Sequence, residues 1–365
     1  MTTTAFNRRG VLRTGLAMGA AAAAGFPALH ALAQGKQFSG QTLRLLTWSD
    51  VTGQEVLTHI AKTFEEKTGA KVVADRTGGT SDMVAKLKAA GNRPQYDVLT
   101  LAGVGQNTLA QAGLLAQPDL NQLPNLKDVD PRFRTSPDGT GIGYLLWTGG
   151  MIYNTRTVKT APTSYEELWS PKYAKRLFLP PANWADALDT IVAAAKTVGG
   201  SMAEPEGGLK KLAQLRDRVL TFGENPTQIA ELIRTGQLDI GAVYPPALLA
   251  KEMRDPNSGI GSTYALKEGF FADLMYTVVP KAHPAKLELA MAFINHTLDP
   301  VVQGKMAEAV LNGPVNQKAV LSDYAKKSPH IIKPEQLGPN AIVHDRALLA
   351  KVREDWIKRY TQLLT

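Results

Sequence analysis

Between residues 43 and 113 the chain switches between two hydrophobic periods. Residues 43–48, Leu-Arg-Leu-Leu-Thr-Trp, form an apolar run of strand length. Over residues 54–68 the apolar positions Val56, Leu57, Ile60 and Phe64 recur at helical spacing, and Gly69 follows as a helix stop. The same pair repeats twice. Strand 71–74 precedes helix 81–90, buried through Met83, Val84 and Leu87, and strand 97–101 precedes helix 106–112. This βαβαβα order predicts a mostly parallel sheet with helices on its faces.

Residues 118–143 lapse into Pro, Asn, Asp and Gly, which is loop chemistry. Two extended segments, 144–147 and 151–153, then flank Thr148-Gly149-Gly150. A second α/β series follows: a short helix 164–169, strand 176–179, helix 184–198 stopped by Gly199-Gly200, and strand 219–222. Asn225 caps the next helix, with Pro226 at its first position, where a missing N–H is harmless. Strand 240–243, a longer strand 274–279, helix 284–298, a helix opened by Asp299-Pro300 and an amphipathic terminal helix 345–364 complete the series. Two α/β lobes in series, with extended segments near 145–153 and 274–279 crossing between them, describe a hinged molecule. Ligands of parallel sheets collect at the carboxyl ends of the strands, and a cleft between lobes closes over them.

Ahead of this pattern stands a different one. Arg8-Arg9 precedes an uncharged run over residues 14–26, and Ala31-Leu32-Ala33 follows with the small-x-small spacing of a peptidase site. That order predicts a cleaved export signal over residues 1–33, and the paired arginines point to the twin-arginine route to the periplasm. The apolar run is shorter than the roughly 20 residues of a membrane span. Removing the segment takes away Arg8, Arg9 and Arg13 and no acid, lowering the formal charge from +8 to +5. The remaining basic residues are interleaved with acids, as in Lys62/Glu65/Glu66/Lys67, which is the pattern of solvated helix faces rather than a nucleic-acid stripe.

The chain has no cysteine, so disulfides, thiolate metal sites and cysteine nucleophiles are excluded. His59, His283, His296, His330 and His344 are scattered, none with a second histidine at helical metal spacing. No metal or cofactor is expected. Gly-x-Ser-x-Gly, His-Glu-x-x-His and P-loop motifs are absent from the sequence, which argues against an enzyme.

Candidate ligand contacts lie at the expected strand ends. Trp48, Ser49 and Asp50 follow the first strand. Gly79, Thr80 and Ser81 open a helix, a setting that suits an anion and equally an ordinary capped turn. Gly103 permits close backbone approach, although a tight β–α turn needs glycine too. Trp147 and Thr148 lie at the first crossing. Asn183 and Trp184 open a helix, where Asn183 also reads as a cap, and Tyr244 and Asp273 complete the second lobe's side. Asp50, Asp82, Asp186 and Asp273 fall in or beside these loops, against Arg76 alone. That bias favours a cation held against aromatic faces, a contact of about 0.5–2 kcal/mol.

Several phrases in their order resemble a known family. They are Phe64-Glu65-Glu66-Lys67-Thr68-Gly69, Tyr96-Asp97-Val98, Met151-Ile152-Tyr153-Asn154, the run Tyr165-Glu166-Glu167-Leu168-Trp169-Ser170-Pro171, Lys267-Glu268-Gly269, Ala292-Phe293-Ile294-Asn295 and Gly313-Pro314-Val315-Asn316. From about Leu43 to Val320 the chain resembles bacterial extracellular solute-binding proteins of the spermidine/putrescine-binding type, and less closely their iron(III)- and 2-aminoethylphosphonate-binding relatives. The resemblance implies a type II-like periplasmic-binding-protein fold, with discontinuous lobes joined by a two-crossing hinge. It implies lobe 1 over 34–148 and 276–303, and lobe 2 over 149–275 and 304–365. It also implies a monomeric, soluble receptor that serves a membrane permease and ATPase. An amine-bearing, polyamine-like solute leads, and a zwitterion such as an aminophosphonate, its anionic end at Gly79–Ser81, is the alternative. Ferric iron and a periplasmic enzyme on the same fold are more remote. The family's carboxylate position falls at Met275 in an ungapped match, two residues from Asp273, and no two tyrosines are adjacent as in the iron binders.

Overall fold

The computed structural model describes residues 36–283, 285 and 287–364; the expected export signal lies outside them. Strand β1 (Thr42–Trp48) leads into helix α1, formed by Val51–Glu55, a wider π-type stretch Val56–Ala61, and Lys62–Thr68. The helix starts at Val51, three residues before the expected start at 54. Asp50 caps it by accepting the Gly53 N–H at 3.0 Å, whereas the first residue of the buried stripe is Val56. At the other end Gly69 takes a left-handed φ of 76°, and its N–H returns to the Glu65 carbonyl. Strand β2 (Lys71–Thr77), α2 (Thr80–Ala90), β3 (Val98–Ala102) and α3 (Gly103–Gln111) complete the first series. Strands β2 and β3 both pair parallel to β1, as expected.

The segment read as two extended pieces is one strand, β4 (Gly141–Asn154). Gly149-Gly150 does not break it; neighbours crowd it there. A Cβ on Gly150 would lie 2.4 Å from the Thr263 carbonyl oxygen, and one on Gly149 would lie 2.8 Å from the Trp147 ring. The second series contains β5 (Leu177–Leu179), α4 (Ala185–Thr197), β6 (Val219–Phe222), α5 (Pro226–Arg234), β7 (Ile240–Tyr244) and β8 (Ile260–Thr263). Strand β9 spans Phe270–Val278, starting four residues earlier than expected. Helices α6 (Leu287–Thr297) and α7 (Pro300–Val310), strands β10 (Gly313–Pro314) and β11 (Ala341–Val343), and helix α8 (Arg346–Leu364) follow.

The strands order as β2-β1-β3-β9-β4-β7-β5-β6, with β10 and β8 added to β4 and β11 to β9. Two strands pass between the halves. Gly141–Gly149 of β4 pair antiparallel with β9, and Gly150–Asn154 then pair with β7 and β8. Strand β9 meets β3 through Met275–Val278 and β11 through Phe270–Ala272.

The apolar interior follows the same division. Leu43, Leu45, Val98, Leu101, Tyr276 and Phe293 share one core, and Leu177, Ile191, Leu212, Trp356 and Tyr360 another. A third cluster gathers Phe178, Ile229, Tyr244, Leu311 and Ile331. Trp147 packs against both main cores, which places it at the passage between them. The chain is a two-lobed α/β molecule.

Candidate functional site

Asp273 lies near the start of β9, opposite Trp147 in the register with β4, so both side chains stand on one face. Arg346, the first residue of α8, bonds through Nη2 to Asp273 Oδ1 and through Nη1 to the Tyr276 hydroxyl at 3.1 Å. Its guanidinium lies 5.0 Å above the Tyr276 ring centroid. Gly103 begins α3 against this pair. A Cβ there would sit 2.6 Å from both Arg346 Nη2 and Asp273 Oδ2, so the position has no room for a side chain.

His344, two residues before Arg346, carries the network onto α4. Its Nε2 meets Asp189 Oδ1 at 2.5 Å and its Nδ1 lies 3.5 Å from Asp273 Oδ2. The imidazole is 6.4 Å from the Trp147 ring and 6.2 Å from Phe271. Burial alone would neutralise it, but the two carboxylates outweigh burial and hold it protonated well above its ordinary range. Burial likewise opposes Asp273, and the His344 hydrogen bond and the Arg346 charge reverse the balance, keeping its carboxyl low. Burial raises Asp189 against the pull of His344. At Asp186, one helical turn before Asp189, the pull of the His344 charge is the smallest influence. Burial and then the Asp189 charge push it to about 8.

The network therefore combines two cations, His344 and Arg346, with the carboxylates of Asp189 and Asp273, and a neutral Asp186 at its edge. Three buried polar atoms in it lack a partner: Asp186 Oδ1, Asp189 Oδ2 and Arg346 Nε. Buried polar atoms are nearly always satisfied, so these three are candidate contacts for a further polar group. Aromatic surface adjoins it. Trp184 precedes α4 and stacks on Tyr244, with centroids 6.0 Å apart. Surface hollows at Leu120–Thr135 and Thr157–Asp239 are lined by other residues. Among the described residues no group of three or more His, Cys, Asp or Glu is arranged to hold a metal ion.

The residues singled out in the sequence divide between this place and others. Gly103, Trp147 and Asp273 surround the network, and Trp184 and Tyr244 flank its acidic end. Trp48 donates its indole N–H to Thr80 Oγ1 at 3.3 Å, and Thr80 packs on Gly105 of α3. Asn183 is exposed, and its carbonyl accepts from Arg353 at 3.2 Å. Ser49 is also exposed, its carbonyl taken by Arg76.

Several of the expected contacts have other partners in this structure. Asp273 is not a free counter-ion, because Arg346 and His344 already claim its charge. Asp50 spends its carboxylate on capping α1, and burial raises its pKa. Tyr244 is fully buried, its hydroxyl donating to the Gly223 carbonyl at 3.0 Å. Thr148 is on the opposite face of β4 from Trp147, bonded to the Tyr264 hydroxyl at 2.9 Å, as the two-residue period of a strand requires. At Gly79–Ser81 the helix start is served by the chain itself, since Asp82 accepts the Gly79 N–H at 3.1 Å. The acidic bias of the strand-end loops is offset by His344 and Arg346. These reach the site from beyond residue 340, where the sequence offered only a scattered histidine and the start of an amphipathic helix.

Comparison with known proteins agrees with this architecture. A spermidine/putrescine-binding periplasmic protein of Haemophilus influenzae is 28% identical over 230 residues, a match covering 60% of this chain and 61% of that protein. The chain thus matches about three fifths of that relative's length. Among solved structures, the Atu4243 GABA receptor superposes with a TM-score of 0.72 at 20% identity, covering 89% of this chain and 98% of that one. The spermidine/putrescine substrate-binding protein of Streptococcus pneumoniae superposes with a TM-score of 0.68 at 21% identity, covering 89% and 100%. Both share the fold. The family model for bacterial extracellular solute-binding proteins matches residues 59–333, three quarters of the sequence. This chain belongs to the family of bacterial extracellular solute-binding proteins.

Proposed function

We propose that the chain is the solute-binding component of an ABC importer, exported to the periplasm by the twin-arginine route. It captures a small amine-bearing solute between its lobes, performs no chemistry on it, and as a monomer delivers it to a separate membrane permease and ATPase. The observation that carries this reading is the pair Asp186 and Asp189 on α4. Each is buried, each has an oxygen without a partner, and Trp184 lies two residues before the first. An ammonium group supplies the donors those oxygens lack, and it restores the charge that burial has removed from Asp186. The Haemophilus relative is named for polyamines and the superposing receptor for GABA, which share the amine. Among the described residues no helix is long and apolar enough to span a membrane.

The hinge is assigned to β4 and β9, with residues 34–148 and 276–303 as one moving body and 149–275 and 304–365 as the other. The packing of Trp356 and Tyr360 with Leu177 supports placing the terminal helix on the second. Native mass spectrometry of the purified protein identifies the retained solute, and small-angle scattering with and without it tests the hinge. The reading expects an amine-bearing ligand and a smaller radius of gyration on binding. A tight ligand that leaves the radius unchanged refutes lobe closure.

A further inference from the structure

The site has two unsatisfied ends of opposite sign. At one end are Asp186 Oδ1 and Asp189 Oδ2, both acceptors when ionised; at the other is Arg346 Nε, a donor that is always charged. Between them lie the His344 ring and the Asp273 carboxylate, which satisfy each other and the inner faces of Asp189 and Arg346. His344 matters for the type of solute. Its imidazolium already stands between two carboxylates, so the negative charge that a second ammonium would need there is consumed inside the protein. A diamine reaching along this line would set its distal ammonium against Arg346, a like-charge contact with no carboxylate to spare. A carboxylate or phosphonate in that position accepts from Arg346 Nε instead.

Resting on the amine-binding reading above, we propose that the solute is a zwitterion with well-separated charges, its ammonium at Asp186 and Asp189 and its anionic group at Arg346. His344 and Arg346 are then the residues that select against polyamines. Separation follows from the layout, since the His344 ring and the Asp273 carboxylate stand between the two ends, and 4-aminobutanoate set against 2-aminobutanoate tests it. This anionic subsite differs from the α2 start at Gly79–Ser81, where Asp82 already occupies the backbone N–H.

Isothermal titration with 4-aminobutanoate, its isomer 2-aminobutanoate, putrescine and succinate tests the proposal on the mature protein. The expected order places 4-aminobutanoate at least about 10-fold tighter than any of the other three, the lower end of what one charged hydrogen bond contributes. Arg346→Lys keeps the charge beside Asp273 but removes Nε, and should lower the ratio of 4-aminobutanoate to putrescine affinity by about 10-fold. The circular dichroism spectrum and melting temperature of that variant show whether it folds. The double variant Asp273→Asn/Arg346→Gln, which removes both members of the pair, should lower the ratio in the same way. Putrescine binding as tightly as 4-aminobutanoate overturns this inference and leaves the amine-binding function standing. Succinate binding alone overturns both, and binding by none of the four by a folded protein overturns the zwitterion assignment.

Discussion

Replacing Asp273 by asparagine removes the carboxylate that Arg346 and His344 share. In the wild-type chain the Asp273 side chain is 10% exposed and that of Arg346 14%, so the pair is close to fully desolvated. After the change, Arg346 retains the Tyr276 hydroxyl at 3.1 Å and the face of its ring, while His344 retains Asp189 at 2.5 Å. Stranding one partner of a buried pair costs about 3–5 kcal/mol. The Tyr276 ring offsets about 0.5–2 kcal/mol of that, so the net loss expected is about 3 kcal/mol. In a chain of this size that lowers the melting temperature by roughly 4 °C. Thermal and urea unfolding of ligand-free protein measure it. Asp323→Asn is the control: that carboxylate is 89% exposed, 3.7 Å from Lys326, and its loss should move the midpoint by less than about 1 °C. Asp273→Asn/Arg346→Gln should recover a large part of the loss, because no charge is then left stranded. An Asp273→Asn protein that melts within 1 °C of wild type would refute the claim that this pair is buried and mutually dependent.

Asp186, raised to about 8, takes up a proton on folding over the window from its ordinary 3.8 to about 8, so stability falls as pH rises through it, by up to about 1.4 kcal/mol per unit. His344 acts with the same sign, its stabilisation being complete below 6.5 and lost as pH rises through its raised value; Asp273, shifted down, acts below 3.8. Urea midpoints should therefore be higher at pH 5.5 than at pH 8, with Asp186→Asn flattening the trend; a rise toward pH 8 contradicts the assignment. Gly103→Ala forces a methyl into the Arg346–Asp273 pair and should weaken solute binding at least about 10-fold, with a stability loss of about 1–3 kcal/mol, by calorimetry and melting. Thr148→Val, on the far face of β4, should leave solute affinity within about 2-fold while removing the bond to Tyr264; a larger loss places the site on the wrong face.

Local chemistry made much of the fold legible. Gly69 stops α1, Asn225 and Pro226 start α5, and the alternation of residues 43–112 specifies a parallel half-sheet, all from short-range signals. Where a second segment decides the outcome, the sequence was silent. Gly149-Gly150 looks like a break until the Thr263 carbonyl and the Trp147 ring are in place beside it. Strand β11 is three residues long and acquires its identity by pairing with β9. Trp147 was legible as a residue of the crossing, and it packs against both main cores. Thr148, grouped with it in the sequence, lies on the opposite face of the strand. His344 and Arg346 lie about 70 residues beyond Asp273, and nothing in their local pattern sets them apart from the polar face of a terminal helix.

The central claim is that solute binds along the line from Asp186 to Arg346. A crystal structure of the mature protein with the solute recovered by native mass spectrometry tests it directly. The account predicts an ammonium group within hydrogen-bond distance of Asp186 Oδ1 or Asp189 Oδ2, beside Trp184, with the lobes closed over it. Density for the solute elsewhere, at the Gly79–Ser81 helix start or in a surface hollow, with Asp186 and Asp189 untouched, would contradict it.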